Sequence, residues 1–192
     1  MKIEYIKEKL SELLDEKRYV HSIGTMEYAV KLAERFGEDA RKAMIAGLVH
    51  DVAKCLDKQQ LLNCALKSGI VIDNIMKNQI ELLHGPAGSY LARKLFGIED
   101  VDILNAIAYH TTGRENMSKL EMIIYVADLI EPSRQFEQVE RLRKKSFEDL
   151  EKAVVMAMDN TLKYVIERGG LIHPNTIYAR NWLILQESGE VR

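Results

Sequence analysis

His21, the adjacent pair His50-Asp51, His84, His110 and Asp128 are spread along the chain, each within an apolar, helix-forming stretch. The chain has only five histidines, and four of them belong to this series. Imidazole and carboxylate together suit iron, manganese, cobalt or zinc. On an apolar face such groups are costly unless each finds a hydrogen bond, a counter-charge or a metal ion. Taken singly, they are also accounted for by hydrogen-bonded core positions, a helix cap at His84, or a buried ion pair between Asp51 and Lys54. One divalent cation satisfies several at once, and the chemistry it brings is hydrolysis by an activated water.

The elements that must position these groups are helices. Residues 2–17 set Ile3, Ile6, Leu10 and Leu13-Leu14 on one stripe. A second helix, over about 20–36, carries His21, Thr25, Tyr28 and Leu32 on one face and stops at Gly37. A third, from about Glu38 to Lys54, puts His50 four residues after Ala46 and Asp51 four after Gly47. Both then project from its buried side, with Lys54 a turn further on. Residues 58–68 form a shorter helix, and 70–83 show a weaker pattern. His84-Gly85-Pro86 opens a helix running to about Phe96, with Pro86 in its first turn. Helices over 99–111 and 118–130 set His110 behind Ile103, Ala106 and Ile107, and Asp128 behind Ile124 and Tyr125. A mixed-charge segment over 135–168, broken near Ser146, precedes a last helix from Pro174. Nine or ten helices without alternating strand patterns predict an all-α fold.

At 192 residues the chain suits a single domain over 1–192 with one sizeable core. A formal net charge of −2 gives no electrostatic footprint for nucleic acid or an anionic membrane. No apolar run reaches the ~18 residues of a membrane span, and the amphipathic N-terminus lacks a signal-peptide core. Cys55 and Cys64 form no CxxC and are expected as reduced thiols in a cytoplasmic protein. Arg134 is a candidate for bidentate phosphate binding, and Thr111 offers a hydroxyl beside His110. His173 sits in a turn, where substrate contact suits it better than metal ligation. The run Arg141 to Lys145 reads as a solvated helix face.

The segments RYVHSIGTMEYA, AGLVHDVAK, LLHGPAGSYLA, AIAYHTTGR and YVADLIEPSR resemble the HD-domain superfamily of metal-dependent phosphohydrolases. HDVAK, HTTG and ADLIEPSR together are more similar still to the YqeK family, bacterial enzymes that cut diadenosine tetraphosphate symmetrically into two ADP. The resemblance runs from His21 to the C-terminal HPNTIYARNW. It implies an HD-domain helical bundle in which His21, His50, Asp51 and Asp128 hold a divalent metal. Iron is the ion implied, with manganese, cobalt or zinc as alternatives. His84 and His110 would complete a second metal position bridged by Asp51, or contact phosphate if one ion binds.

The same resemblance makes His50, Asp51 and Lys54 the catalytic residues. Lys54, Thr111 and Arg134 would hold phosphate, with His173, Asn175, Thr176 and Tyr178 closing over the nucleotide. His21, Asp51, His84, His110 and Asp128 would border the substrate as well as the metal. The implied partner is a dinucleoside polyphosphate or another nucleotide, with a homodimer allowed. Alternatives are an HD-type nucleotidase, an alarmone hydrolase, or a nucleotide-binding sensor without turnover. The cyclic-dinucleotide branch of the superfamily needs a GYP element, which the chain lacks.

Overall fold

Apolar side chains at helical spacing become eleven α-helices among residues 2–188, the span that a computed structural model describes. They are α1 (Ile3–Leu13), α2 (Glu16–Phe36), α3 (Ala40–Val49), α4 (Lys58–Leu66), α5 (Asn74–Asn78) and α6 (His84–Phe96). After these come α7 (Val101–Tyr109), α8 (Lys119–Ile130), α9 (Val139–Glu148), α10 (Leu150–Glu167) and α11 (Pro174–Ser188). A 3₁₀ turn, Ile80–Leu83, leads into α6. No strand occurs among the described residues, so the all-α expectation holds. No helix among them is long and apolar enough to cross a membrane.

Capping chemistry sets most boundaries. Asp15, Asp39, Asp57, Asp100 and Ser118 each accept from a backbone N–H of the first turn that follows. Asp57 with Gln60, and Ser118 with Glu121, close reciprocal capping boxes. Gly37 and Gly97 end α2 and α6 at φ of 66° and 62°, the left-handed region where a side chain would be strained.

Three boundaries depart from the periodic reading. The first helix stops at Leu13, because Asp15 starts α2 at Glu16 and brings Lys17 and Arg18 onto that helix. The mixed-charge segment breaks at Asp149, whose extended backbone (φ −154°) and carboxylate cap α10. The third departure bears on function. Helix α3 ends at Val49, so Asp51 and Lys54 lie in the tight turns that follow. His50 Nδ1 donates to the Gly47 carbonyl at 2.7 Å, the acceptor that the Asp51 N–H would need to continue the helix. Beyond it, bonds such as Lys54 N to Asp51 O (2.9 Å) span three residues, not four. His110 ends α7 the same way, donating from Nδ1 to Ile107 O at 2.7 Å.

The core is built around α8, in which every residue from Leu120 to Ala127 is buried. A helix apolar on all sides must be surrounded, and α2, α3, α7, α9 and α10 all pack against it. Two glycines let the histidine-bearing helices approach closely. A Cβ on Gly47 would sit 2.9 Å from Met26 Cα, fixing α3 on α2. A Cβ on Gly85 would sit 2.5 Å from the Ala108 carbonyl oxygen, fixing α6 on α7. His21, His50, His84, His110 and Asp128 therefore converge from five helices.

Gly85→Ala is expected to destabilise the protein. Alanine favours helix by about 1 kcal/mol over glycine, but the methyl group meets backbone that cannot yield, an overpacking cost of roughly 1–3 kcal/mol. A urea unfolding midpoint below that of the wild type is the expected result.

Candidate metal centre

Four imidazoles and two carboxylates meet where these five helices come together. His21, His50, Asp51, His84 and His110 are buried, and Asp128 is half-buried. His21 Nε2 lies 3.2 Å from His50 Nε2, 3.0 Å from Asp128 Oδ1 and 3.7 Å from Asp51 Oδ2. His84 Nε2 lies 3.0 Å from His110 Nε2 and 3.2 Å from Asp51 Oδ1. Asp51 thus stands in the middle, with one oxygen toward His21 and His50 and the other toward His84 and His110.

The donor set fits a cation. His50, His84 and His110 each spend Nδ1–H on a carbonyl three residues earlier: Gly47, Glu81 and Ile107. In the neutral rings this leaves Nε2 as a bare lone pair. Two such lone pairs, from His84 and His110, face each other beside a carboxylate oxygen, three acceptors with Lys54 Nζ as a nearby donor 3.4 Å from His84 Nε2. Three groups of ligand atoms lie within 4.8 Å of one another: His21–His50–Asp51, His50–His110–Asp128 and Asp51–His84–His110. Neutral imidazole and ionised carboxylate are the forms that bind metal.

The electrostatics favour those forms for most of the set. Burial drives His50 down to about 4 against the pull of Asp51, and burial likewise lowers His84. Burial opposes ionising Asp51 and Asp128. Both are nevertheless held well below the usual carboxylate range, Asp51 with the Arg18 guanidinium 3.0 Å from Oδ2 and Asp128 by Arg134 and His21. His21 goes the other way: burial would depress it, but Asp128 and Glu131 raise it.

Charged side chains behind these six groups hold them in place, and the pattern of ionisable groups on apolar faces does not mark several of them. Glu131, buried, takes His21 Nδ1–H at 3.0 Å, and it accepts from the Ser133 backbone N–H at 2.8 Å. Arg18, one turn before His21, pairs with Asp51 Oδ2 at 3.0 Å. Arg134 grips Asp128, donating from Nε to its carbonyl at 2.7 Å and from Nη2 to its carboxylate. Arg143 corrects the reading of its run as merely solvated: it donates to the carbonyls of Ile130, Glu131 and Arg134 at 2.9–3.0 Å. The signal available for Glu131 and Arg18 was their spacing, three residues from Asp128 and His21. Gly24 makes room for this layer, since a Cβ there would lie 2.8 Å from Glu131 Oε2.

Lys54 does not pair with Asp51. It places Nζ 3.2 Å from His84 Nδ1, and burial lowers its pKa. Thr111, beside His110, has a buried hydroxyl without a hydrogen-bond partner. The His173 turn is linked to this end of the cluster by Thr176, whose hydroxyl donates to the Thr112 carbonyl at 2.9 Å. His173 Nε2 lies 3.1 Å from Asp73 Oδ2, and its Nδ1 accepts from the Asn175 backbone N–H. Tyr178 is exposed.

Comparison with known proteins matches residues 18–133 to the HD domain model. The symmetrical bis(5′-nucleosyl)-tetraphosphatase of Bacillus subtilis (strain 168) is 39% identical over 91% of this chain and 94% of its own length. Its namesake from Halalkalibacterium halodurans is 42% identical, covering 91% of this chain and 92% of that one. A 1.50 Å crystal structure from Clostridium acetobutylicum, described as a predicted HD superfamily hydrolase involved in NAD metabolism, gives a TM-score of 0.93. That protein is 50% identical, with 97% of this chain and 98% of that chain covered.

Two outcomes are expected. Adding manganese to chelator-treated protein should raise Tm by several degrees, since an ion at 100 times its Kd adds about 2.7 kcal/mol; Asp51→Ala should abolish the shift. Glu131→Gln should weaken metal affinity by about 10- to 100-fold, the usual effect of losing a carboxylate behind a ligating histidine, measured by competition with a metallochromic chelator.

Proposed function

Because this chain belongs to the HD domain family, we propose that it is a divalent-metal phosphohydrolase that splits diadenosine tetraphosphate symmetrically into two ADP. The observation that carries the reading is the buried ring of acceptors around Asp51, in a chain similar to the tetraphosphatases over nearly its whole length. His21, His50, Asp51 and Asp128 hold the ion in this proposal. His84 and His110, with the other oxygen of Asp51, supply a second position or a phosphate contact. The donor set contains nitrogen and oxygen but no thiolate, which suits iron and also manganese, cobalt or zinc.

When bound, the cation supplies Lewis acidity, drawing the pKa of a water from about 15.7 toward ~7 and offsetting phosphate charge. The protein's own groups do the rest. Hydroxide from that water, its proton lost to solvent, adds to an inner phosphorus, the bond from that phosphorus to the central bridging oxygen breaks, and that oxygen leaves with one ADP, carrying the negative charge. In this reading Lys54 and Arg134 offset charge on the transferring and leaving oxygens, a role supported by their contacts with His84 and Asp128. Thr111 has a hydroxyl free to meet a phosphate oxygen. His173, Asn175, Thr176 and Tyr178 close over one nucleotide at the His110 end, a role supported by the Thr176–Thr112 bond. A single domain over 1–192, a cytoplasmic location and a homodimer belong to the same reading; the free thiols of Cys55 and Cys64 support the location.

The test is product identity. Metal-loaded protein should convert diadenosine tetraphosphate to ADP alone by ion-exchange chromatography, and ATP with AMP would overturn the assignment. Asp51→Ala should abolish turnover while helicity by circular dichroism persists. Lys54→Ala should retain its metal, read by elemental analysis, yet lose about 10²-fold or more in kcat, in line with removing one charge-stabilising donor.

A further inference from the structure

The acceptor cluster has two ends, and only one adjoins the His173 turn. At the His84–His110 end, Thr112 accepts from Thr176 and ties in that turn. At the other end, His21 forms part of the wall of a cavity of about 620 Å³, on the side where α2, the residues after α8 and α10 meet. This volume lies in the range of nucleotide-sized ligand pockets. Its lining changes character with distance from the cluster. Arg18 and Arg134, which pair with Asp51 and Asp128, stand at the neck. Beyond them the lining includes Phe136, Asn160 and Tyr164. Both aromatic rings are exposed, and the Arg168 guanidinium lies 4.6 Å from the Tyr164 ring centroid. Asn160 Nδ2 is buried and has no hydrogen-bond partner, a donor left without an acceptor in a wall otherwise suited to a flat ring.

A chain of four phosphates with a nucleoside at each end is cut in the middle only if its register is fixed. One nucleoside subsite anchors one end and leaves the cut position to the phosphates, whereas two subsites at fixed distance centre the bridging oxygen. We propose that the cavity beside His21 is the second nucleoside subsite. It takes base and ribose of one half of a dinucleoside tetraphosphate, with Phe136 and Tyr164 covering the base and Asn160 donating to a ring acceptor. The neck arginines meet that half's phosphates. This rests on the phosphohydrolase reading above and adds what sets its symmetry.

The test is titration of metal-loaded protein with ADP by calorimetry. Wild type is expected to bind two ADP per chain. Asn160→Trp, which fills the cavity, and Tyr164→Ala, an exposed position where folding is not at stake, are expected to lose or weaken one site by about 10-fold or more, the scale of a lost base stack. The kcat/KM for diadenosine tetraphosphate should fall by a similar factor, with metal content and Tm unchanged in Tyr164→Ala. One ADP per wild-type chain, or two undiminished sites in both variants, overturns the subsite. Two ADP bound with no hydrolysis of diadenosine tetraphosphate overturns the activity instead and leaves the subsite standing.

Discussion

A buried carboxylate with an imidazole nitrogen on each side of both its oxygens is the constraint on which the other features depend. Asp51 is held in its charged form in the interior, with the Arg18 guanidinium 3.0 Å from one of its oxygens. The device that orients the imidazoles is local: a ring nitrogen bonded to the carbonyl three residues earlier, repeated at His50, His84 and His110. At His50 and His110 the bond that aims the imidazole also takes the acceptor needed for another helical turn. Helix termination and site assembly are therefore one event, and the tight turn after Val49 delivers both Asp51 and Lys54.

The layer around the ligands shows how charge is balanced. Asp51, Asp128 and Glu131 bring three negative charges into or beside the site, and Arg18, Lys54 and Arg134 bring three positive ones. Without a metal the group is close to neutral, which lets it fold without a large uncompensated charge. A divalent ion then makes the site positive by about two units, the sign that draws in a polyphosphate. The arginines so serve twice: they pair with Asp51 and Asp128, and they line the cavity beside His21.

Much of this was legible in the sequence, for a physical reason. Ionisable groups that recur in apolar helical stretches have to converge on something, and the set from His21 to Asp128 does converge. The all-α architecture and most helix ends were equally plain from spacing and caps. The end of the third helix was not legible at Lys54, because periodicity assumes that a helix continues, and side-chain capping by His50 stops it at Val49. Arg143 was missed because a long side chain in a charged run carries no mark of where its guanidinium ends up, here on carbonyls nine to thirteen residues back. The cavity lined by Phe136, Asn160 and Tyr164 was invisible because it joins segments from α2, α8 and α10 that share no pattern.

Gly24 has a consequence out of proportion to its size. Its α-carbon faces Glu131 and Pro132 so closely that a single methyl would have to push the carboxylate aside. Glu131 in turn fixes the tautomer of His21. On the helix that also carries Arg18 and His21, this one position encodes the orientation of an imidazole by the absence of an atom. Anyone transplanting the constellation onto another helical scaffold would have to copy that gap along with the ligands.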